Sequence, residues 1–430
     1  MKLSILLGVF AVGNFALAFL IQSWVLVIVG AGVASDAFVA SLILPHLFFT
    51  VVTNQLPSVL VPMMAGTPPD ELRRNAWSAL GAATLTFSSL ALLLAATASW
   101  WVPLIVAGVS PETKALAVRL SRIQALSILF MALHRLVDSI AHARRQFVRV
   151  ELTDLFSNGA ALGVLIYALP RFGIEAAAWI IVARPASSAL LLLPSAGRPA
   201  LPELRGAFLR TVVQRLRPVV LGSTYAKSGP LIDRFLLSWT GAGAMTLIHF
   251  AEKLYGATFD VFRRAMISPI VPRMAEHARD GDWSAYRALC LRRAAAVGAI
   301  SLLALAGVAA VGLPLLKLLV GRGGLTSENV RLLWYILLLM GGYLIGGALN
   351  YVLAQALYAT ADTVSTAKIG AIGLTVGIPL KIAGLYSWGI LGIAAATGAQ
   401  QLFMLLLFAA AWRRTVSRAA APGKTAELVP

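Results

Sequence analysis

The chain has 430 residues, 59% hydrophobic and only 13% charged, with 36 Lys and Arg against 18 Asp and Glu for a formal net charge of +18. A mean hydropathy of +0.82 excludes a soluble globular protein, because apolar stretches of about 20 residues recur from end to end. The single cysteine, Cys290, excludes an intrachain disulfide and any metal or redox site built from cysteines.

From the N-terminus, the predicted spans lie near residues 3–28, 34–64, 77–107, 118–141, 152–169, 174–195, 218–240, 245–271, 294–320, 331–358, 366–386 and 388–411. Lys2 before an apolar run and A-L-A at 16–18 imitate a signal peptide. Apolar sequence nevertheless continues to Val29, past a secretory h-region of about 7–15 residues, so this segment is expected to remain as the first helix. Between the sixth and seventh spans lies a basic stretch in which Leu204, Phe208, Val212 and Leu216 recur every four residues among arginines. That spacing predicts an amphipathic helix on the cytoplasmic face with its apolar stripe against lipid. The expected organisation is an N-lobe of six helices over 1–196, this linker over 197–217, a C-lobe of six helices over 218–412, and a disordered cytoplasmic tail over 413–430.

The basic residues set the orientation. Arg73, Arg74, Arg144, Arg145, Arg149, the arginines from Arg198 to Arg217 and from Arg273 to Arg293, and Arg413, Arg414, Arg418 and Lys424 all fall on one side of the twelve-span scheme. The opposite loops carry only Lys114, Arg119, Arg171, Arg322 and Arg331, which places both termini in the cytoplasm. The positive charge is thus read as anchoring against anionic membrane lipids, and no nucleic-acid partner is expected.

The chain repeats itself. Gly30–Pro62, with G-A-G-V-A-S-D and V-P-M-M-A, returns in altered form from Gly241 as G-A-G-A-M-T-L and V-P-R-M-A. Ala141–Phe147 matches Leu357–Thr363, each at the turn between the fourth and fifth helices of its half. Two related halves in so apolar a chain suggest a transporter whose lobes rock around a central site.

At these residues the chain resembles the MurJ/MviN lipid II flippase family, within the superfamily that also holds multidrug (MATE) and polysaccharide exporters. The resemblance rests on Gly30-Ala31-Gly32 through Asp36 to Leu44-Pro45, on Asp233-Arg234 through Ala251-Glu252-Lys253-Leu254-Tyr255, on Ala356-Leu357-Tyr358-Ala359, and on Gly392 to Thr397. It implies an all-α integral membrane protein with two pseudo-twofold lobes, which the twelve predicted spans fill with six helices each. The implied function is movement of an isoprenoid-pyrophosphate-linked saccharide across the bacterial cytoplasmic membrane by alternating access, with cell-envelope synthesis proteins as possible partners. The alternatives are a MATE-like small-molecule efflux carrier and a scaffold of envelope synthesis that transports nothing.

The chain also departs from the family. Phe15, Ile21 and Gln22 stand where the first helix usually carries charge, Phe49 and Thr50 where arginines follow the second-helix L-P motif, and Lys253 in place of the eighth-helix arginine. The usual family length is fourteen helices.

An anionic pyrophosphate in a low-dielectric cavity needs cations supplied by the protein. The substrate-binding candidates are Lys253, Lys227, Arg184, Arg135, His46 and His134. Each has a plainer reading: Arg135 stands three residues before Asp138 and the two can form a structural pair, while an embedded histidine can be a packing residue. Asp36, at the start of the second helix, is a gating residue or a helix cap.

In sodium-binding members of the family, an aspartate of the seventh helix and a threonine of the twelfth hold the ion, and the resemblance maps these onto Asp233 and Thr397. Lys381 falls at an eleventh-helix ligand position. The expectation is that its ammonium sits against Asp233 and makes transport sodium-independent; otherwise Lys381 snorkels to the outer interface. No enzyme, metal site or cofactor is expected, since the five histidines form no H-E-x-x-H and no P-loop or nucleophile elbow is present.

Overall fold

The computed structural model describes residues 2–321 and 323–419, and among them every regular element is a helix. The first span is one helix, α1 (Lys2–Val29). The second is broken into α2 (Val33–Ser41), α3 (Ile43–Val51), a 3₁₀ turn at Thr53–Gln55 and α4 (Leu56–Met64). Pro45 accounts for the first break, because its ring nitrogen cannot donate to the carbonyl of Ser41. Then come α5 (Pro69–Ala96), α6 (Ala98–Ile105), α7 (Pro111–Ala143), α8 (Phe147–Phe172) and α9 (Ile174–Leu192).

The chain continues as α10 (Ala207–Lys227), α11 (Gly229–Leu237), α12 (Ala244–Phe262), a π turn at Arg263–Ile267, a 3₁₀ turn at Ser268–Ile270 and α13 (Val271–Arg279). It ends with α14 (Trp283–Leu319), α15 (Ser327–Leu339), α16 (Gly341–Ala359) and α17 (Thr363–Ala419). At 57 residues α17 would be about 85 Å long, nearly three times the hydrocarbon thickness of a bilayer. It breaks at Trp388 and Gly389, where Gly389 takes φ 58 and ψ −129. The two halves fold back on one another, for a Cβ at Gly384 or at Gly392 would collide with the other's carbonyl, and one at Gly377 with Gln400.

Each expected span therefore coincides with a helix, a broken helix or half of α17. Among the described residues eight such segments are apolar and long enough to cross a membrane, and α15 with α16, bent by 40°, adds another. The chain is a multi-pass α-helical membrane protein.

Both repeats recur in three dimensions. Gly30 (φ 76) and Gly241 (φ 103) precede α2 and α12, and each copy breaks before the helix holding its V-P pair, at Thr53–Gln55 and Ser268–Ile270. At the other repeat Arg145 (φ 58) and Ala361 (φ 60) are left-handed. In one turn Gln146 N–H donates to Ala141 O and Arg145 N–H to His142 O; in the other Asp362 N–H donates to Leu357 O and Ala361 N–H to Tyr358 O. These are the paired bonds of a Schellman helix end, the same in both copies.

The chain folds as two compact units: residues up to Thr246 with Gly323–Leu325, and residues from Leu247 onward without that loop. The division falls inside α12, beyond the basic segment, because α10 and α11 pack with the preceding helices. Gly108 N–H donates to Ser238 Oγ at 3.0 Å, and Glu203 N–H to Ser78 Oγ at 2.9 Å. The basic segment itself differs from expectation. Residues 198–206 form no helix, and Phe208, Val212 and Leu216 lie on α10 packed against a core of Leu60, Met64, Leu136 and Ile140 rather than against lipid. The last helix extends to Ala419, and the rest of the expected tail lies outside the described residues.

Candidate substrate and coupling site

Three of the sequence-derived cargo candidates meet in one polar network inside the first unit. On α7, His134 Nε2 lies 3.1 Å from Asp154 Oδ1 of α8, and Arg135 Nη1 donates to Asp138 Oδ2 at 3.3 Å. Ser188 of α9 donates to the same Asp154 oxygen at 3.2 Å. Arg184, also on α9, donates to Asn158 Oδ1 at 3.3 Å and interacts electrostatically with both Asp154 and Arg135. Asn158 in turn donates to Asn14 Oδ1 of α1 at 3.2 Å, and Asn14 donates to the Glu151 carboxylate at 3.0 Å. Every cation here has a carboxylate or amide oxygen within reach, as a low-dielectric interior demands.

A second group centres on α3. The Arg135 guanidinium stands 5.3 Å from the Phe49 ring centroid, and His46 stacks on the same ring at 6.4 Å. Lys227, at the end of α10, donates from Nζ to the carbonyl of Thr50 at 2.7 Å. That carbonyl lies in the last turn of α3, where the break before Thr53–Gln55 leaves it without its helical partner; a cation there also meets the negative end of the helix dipole. So Phe49 and Thr50, the residues standing where the resemblance calls for cations, are each approached by a cation from another helix.

Asp36 is 2% exposed and binds the start of α12. Its carboxylate accepts from Gly243 N–H at 2.6 Å, Thr246 N–H at 2.9 Å and Thr246 Oγ1 at 2.7 Å. This anion at a helix N-terminus satisfies two donors that the helix cannot satisfy itself.

The remaining candidates lie on α11, α12 and α17. Lys253 is half-buried on α12 in the second unit. Asp233 and Arg234 are neighbours on α11, 9% and 5% exposed. Lys381 is 5% exposed within the second unit, and Thr397 turns its hydroxyl to its own helix, donating to Ile393 O at 2.8 Å. Among the described residues no group of three or more His, Cys, Asp or Glu could hold a metal ion.

Sequence reasoning assigned no role to Asn14, Glu151, Asp154, Asn158 or Ser188. Asparagines within apolar helices were the available signal, since such groups seek partners across helices.

A family model described as "Lipid II flippase MurJ" matches residues 26–426. The chain belongs to the MurJ lipid II flippase family. A MurJ lipid II flippase of Burkholderia cenocepacia is 25% identical over 369 residues, spanning 81% of this chain and 70% of that protein. A probable MurJ of Vibrio cholerae is 24% identical over 192 residues, 44% of this chain and 37% of its own length. Among solved structures, a MurJ in an inward closed conformation superposes with a TM-score of 0.83 at 17% identity, covering 97% of this chain and 90% of that one. An inward-facing MATE multidrug transporter gives 0.72 at 12% identity, with 94% of each chain covered. Both likenesses establish the MurJ and MATE fold for this chain.

Proposed function

We propose that this MurJ family member is a flippase of the bacterial cytoplasmic membrane. In this reading it carries an isoprenoid-pyrophosphate-linked saccharide of the lipid II type from the inner to the outer leaflet by alternating access, with both termini cytoplasmic. The observation that carries the reading is the set of membrane-embedded cations Arg135, Arg184 and Lys227 in the first unit. Their present partners are groups that a pyrophosphate can replace: single carboxylate oxygens, an amide and a helix carbonyl. A diphosphate offers more oxygens and more charge than any of these, and guanidinium forks match its geometry. Lys253 supplies a further cation from the second unit, and Asp36, holding the start of α12, acts as the gate. The embedded polar groups bind and release; they carry out no chemistry on the cargo.

The test is complementation of a strain depleted of its own flippase, with protein abundance followed alongside. Growth restored by the wild type and lost with Arg135→Ala, Arg184→Ala or Lys253→Ala at equal abundance supports the reading. Restoration by all three variants, or abundance without restoration by the wild type, rejects it.

A further inference from the structure

His134, Asp138 and His142 follow one another at four-residue intervals, so all three lie on one face of α7. His142, one residue from the helix end, has a half-exposed side chain, whereas that of Asp138 is 7% exposed and that of His134 14%. His142 Nδ1 lies 2.8 Å from Asp138 Oδ1 and 2.9 Å from the Asp138 backbone carbonyl. A carbonyl oxygen only accepts, so Nδ1 carries the hydrogen and Nε2 is the acceptor. Asp138 Oδ1 makes no aligned hydrogen bond and keeps a lone pair facing that imidazole. One turn further in, His134 acts electrostatically on Asp138 and reaches Asp154 across to α8.

The charged groups facing this ladder from its neighbours are Asp154 and Glu151 on α8 and Arg184 on α9, with Arg135 on α7 itself. Of the other helices packed on α7, α4 and α6 carry no titratable group, α3 carries His46, which stacks on Phe49, and Glu71 and Arg74 of α5 are exposed. Asp36 on α2 is held by Gly243 and Thr246, Asp70 on α5 by Arg73, and Glu175 on α9 by Arg119. Each ladder aspartate is thus shared between an arginine and a histidine: Asp138 between Arg135 and His142, Asp154 between Arg184 and His134.

We propose that the pairs His142–Asp138 and His134–Asp154 are proton-binding sites, the first loaded from the surface through His142, that couple anion capture by Arg135 and Arg184 to proton uptake. This rests on the flippase reading. When cargo phosphate takes an arginine, the carboxylate it leaves faces only a neutral imidazole and cannot remain charged in a low-dielectric interior without a proton arriving at the pair. Water delivers a proton to His142 Nε2, and the Nδ1 proton moves to Asp138 Oδ1. An O–H bond of hydronium breaks as the Nε2–H bond forms, and the Nδ1–H bond breaks as the carboxyl O–H bond forms, so a single proton passes from water to carboxylate. His134 offers the same service to Asp154. Linkage is reciprocal, so protons strengthen anion binding by the factor by which the anion strengthens proton binding.

The test uses the full chain in phosphatidylethanolamine and phosphatidylglycerol vesicles clamped at zero potential, with a fluorescent polyprenyl-pyrophosphoryl disaccharide as probe. Acidifying the His142 side should accelerate flipping, approaching tenfold per pH unit for one coupled proton, and His142→Asn should flatten that response. Flipping indifferent to the gradient, or a gradient response retained by His142→Asn, overturns the proposal. A wild type that moves no probe at all rejects the flippase reading instead. Infrared difference spectra recorded with the pyrophosphoryl probe bound minus the cargo-free protein then decide the proton site. A carboxyl signal that appears on probe binding and that Asp138→Asn removes supports it, and its absence or its survival in that variant overturns it.

Discussion

The two copies of the repeat share a backbone and differ in what they place on it. Arg145 and Ala361 occupy the same left-handed turn position 216 residues apart, and the same offset carries His134, Arg135, Asp138 and His142 onto Asn350, Tyr351, Ala354 and Tyr358. At the start of the halves Gly30 pairs with Gly241, which carries Asp36 onto Leu247. Each of these ionisable groups of the first copy meets an uncharged residue in the second. Asn350 does structurally what His134 does, donating to Gln401 of α17 at 3.0 Å as His134 reaches Asp154. The fold is therefore attainable without the charges, and their presence in one half alone points to binding rather than to architecture.

The largest effect is expected from giving the second copy the first copy's acid. Leu247 is 1% exposed, so Leu247→Asp buries a carboxylate where the structure holds an aliphatic side chain. A cost of about 3–5 kcal/mol should appear as loss of folded protein from the membrane, whereas normal abundance would show that the second copy tolerates charge. Next, Arg135→Tyr combined with Asp138→Ala gives the first copy the second's residues at both positions and leaves no orphaned carboxylate. Thermal stability should fall only slightly, while flipping in the vesicle assay falls about 10–100-fold, the value of one charge-assisted contact. Equal loss of stability and transport would make Arg135 and Asp138 a structural pair.

Asp36→Asn keeps an acceptor for Thr246 but turns an amide N–H₂ toward the Gly243 N–H. About 1–3 kcal/mol should be lost, read as a lower melting temperature. The smallest effect concerns what the copies share: Arg145→Gly and Ala361→Gly relieve a left-handed residue and should each stabilise by about 0.5–1 kcal/mol. A gain at only one turn would break the equivalence of the two.

The repeat, the spans and the family were legible in the sequence because they depend on local pattern: G-A-G before a helix, V-P after a break, apolar runs of bilayer length. The partners were not. Lys227 reads as an embedded cation, yet only the end of α3 at Val51 explains why it reaches Thr50 O. Asp36 could be read as capping its own helix, whereas it receives the start of α12, some 210 residues on. The period of Phe208, Val212 and Leu216 correctly marks one helical face, but periodicity does not say whether lipid or protein covers it, and here it is the core around Leu60 and Ile140. Contacts across helices are set by packing, which no window of sequence contains.

The fold-back of α17 bears on biogenesis. Lys381, four residues past Gly377, and Gln400, whose amide donates to Gly373 O at 2.9 Å, are both buried in the finished structure. If the two halves left the translocon one at a time, the lysine alone would cost about 2.5–3.5 kcal/mol at the bilayer centre. The glycine contact at Gly384 and Gly392 lets them enter lipid already paired, with polar groups turned inward. A larger residue at either glycine is thus expected to act during insertion, as a failure of the last hairpin to integrate, before it could affect any transport step.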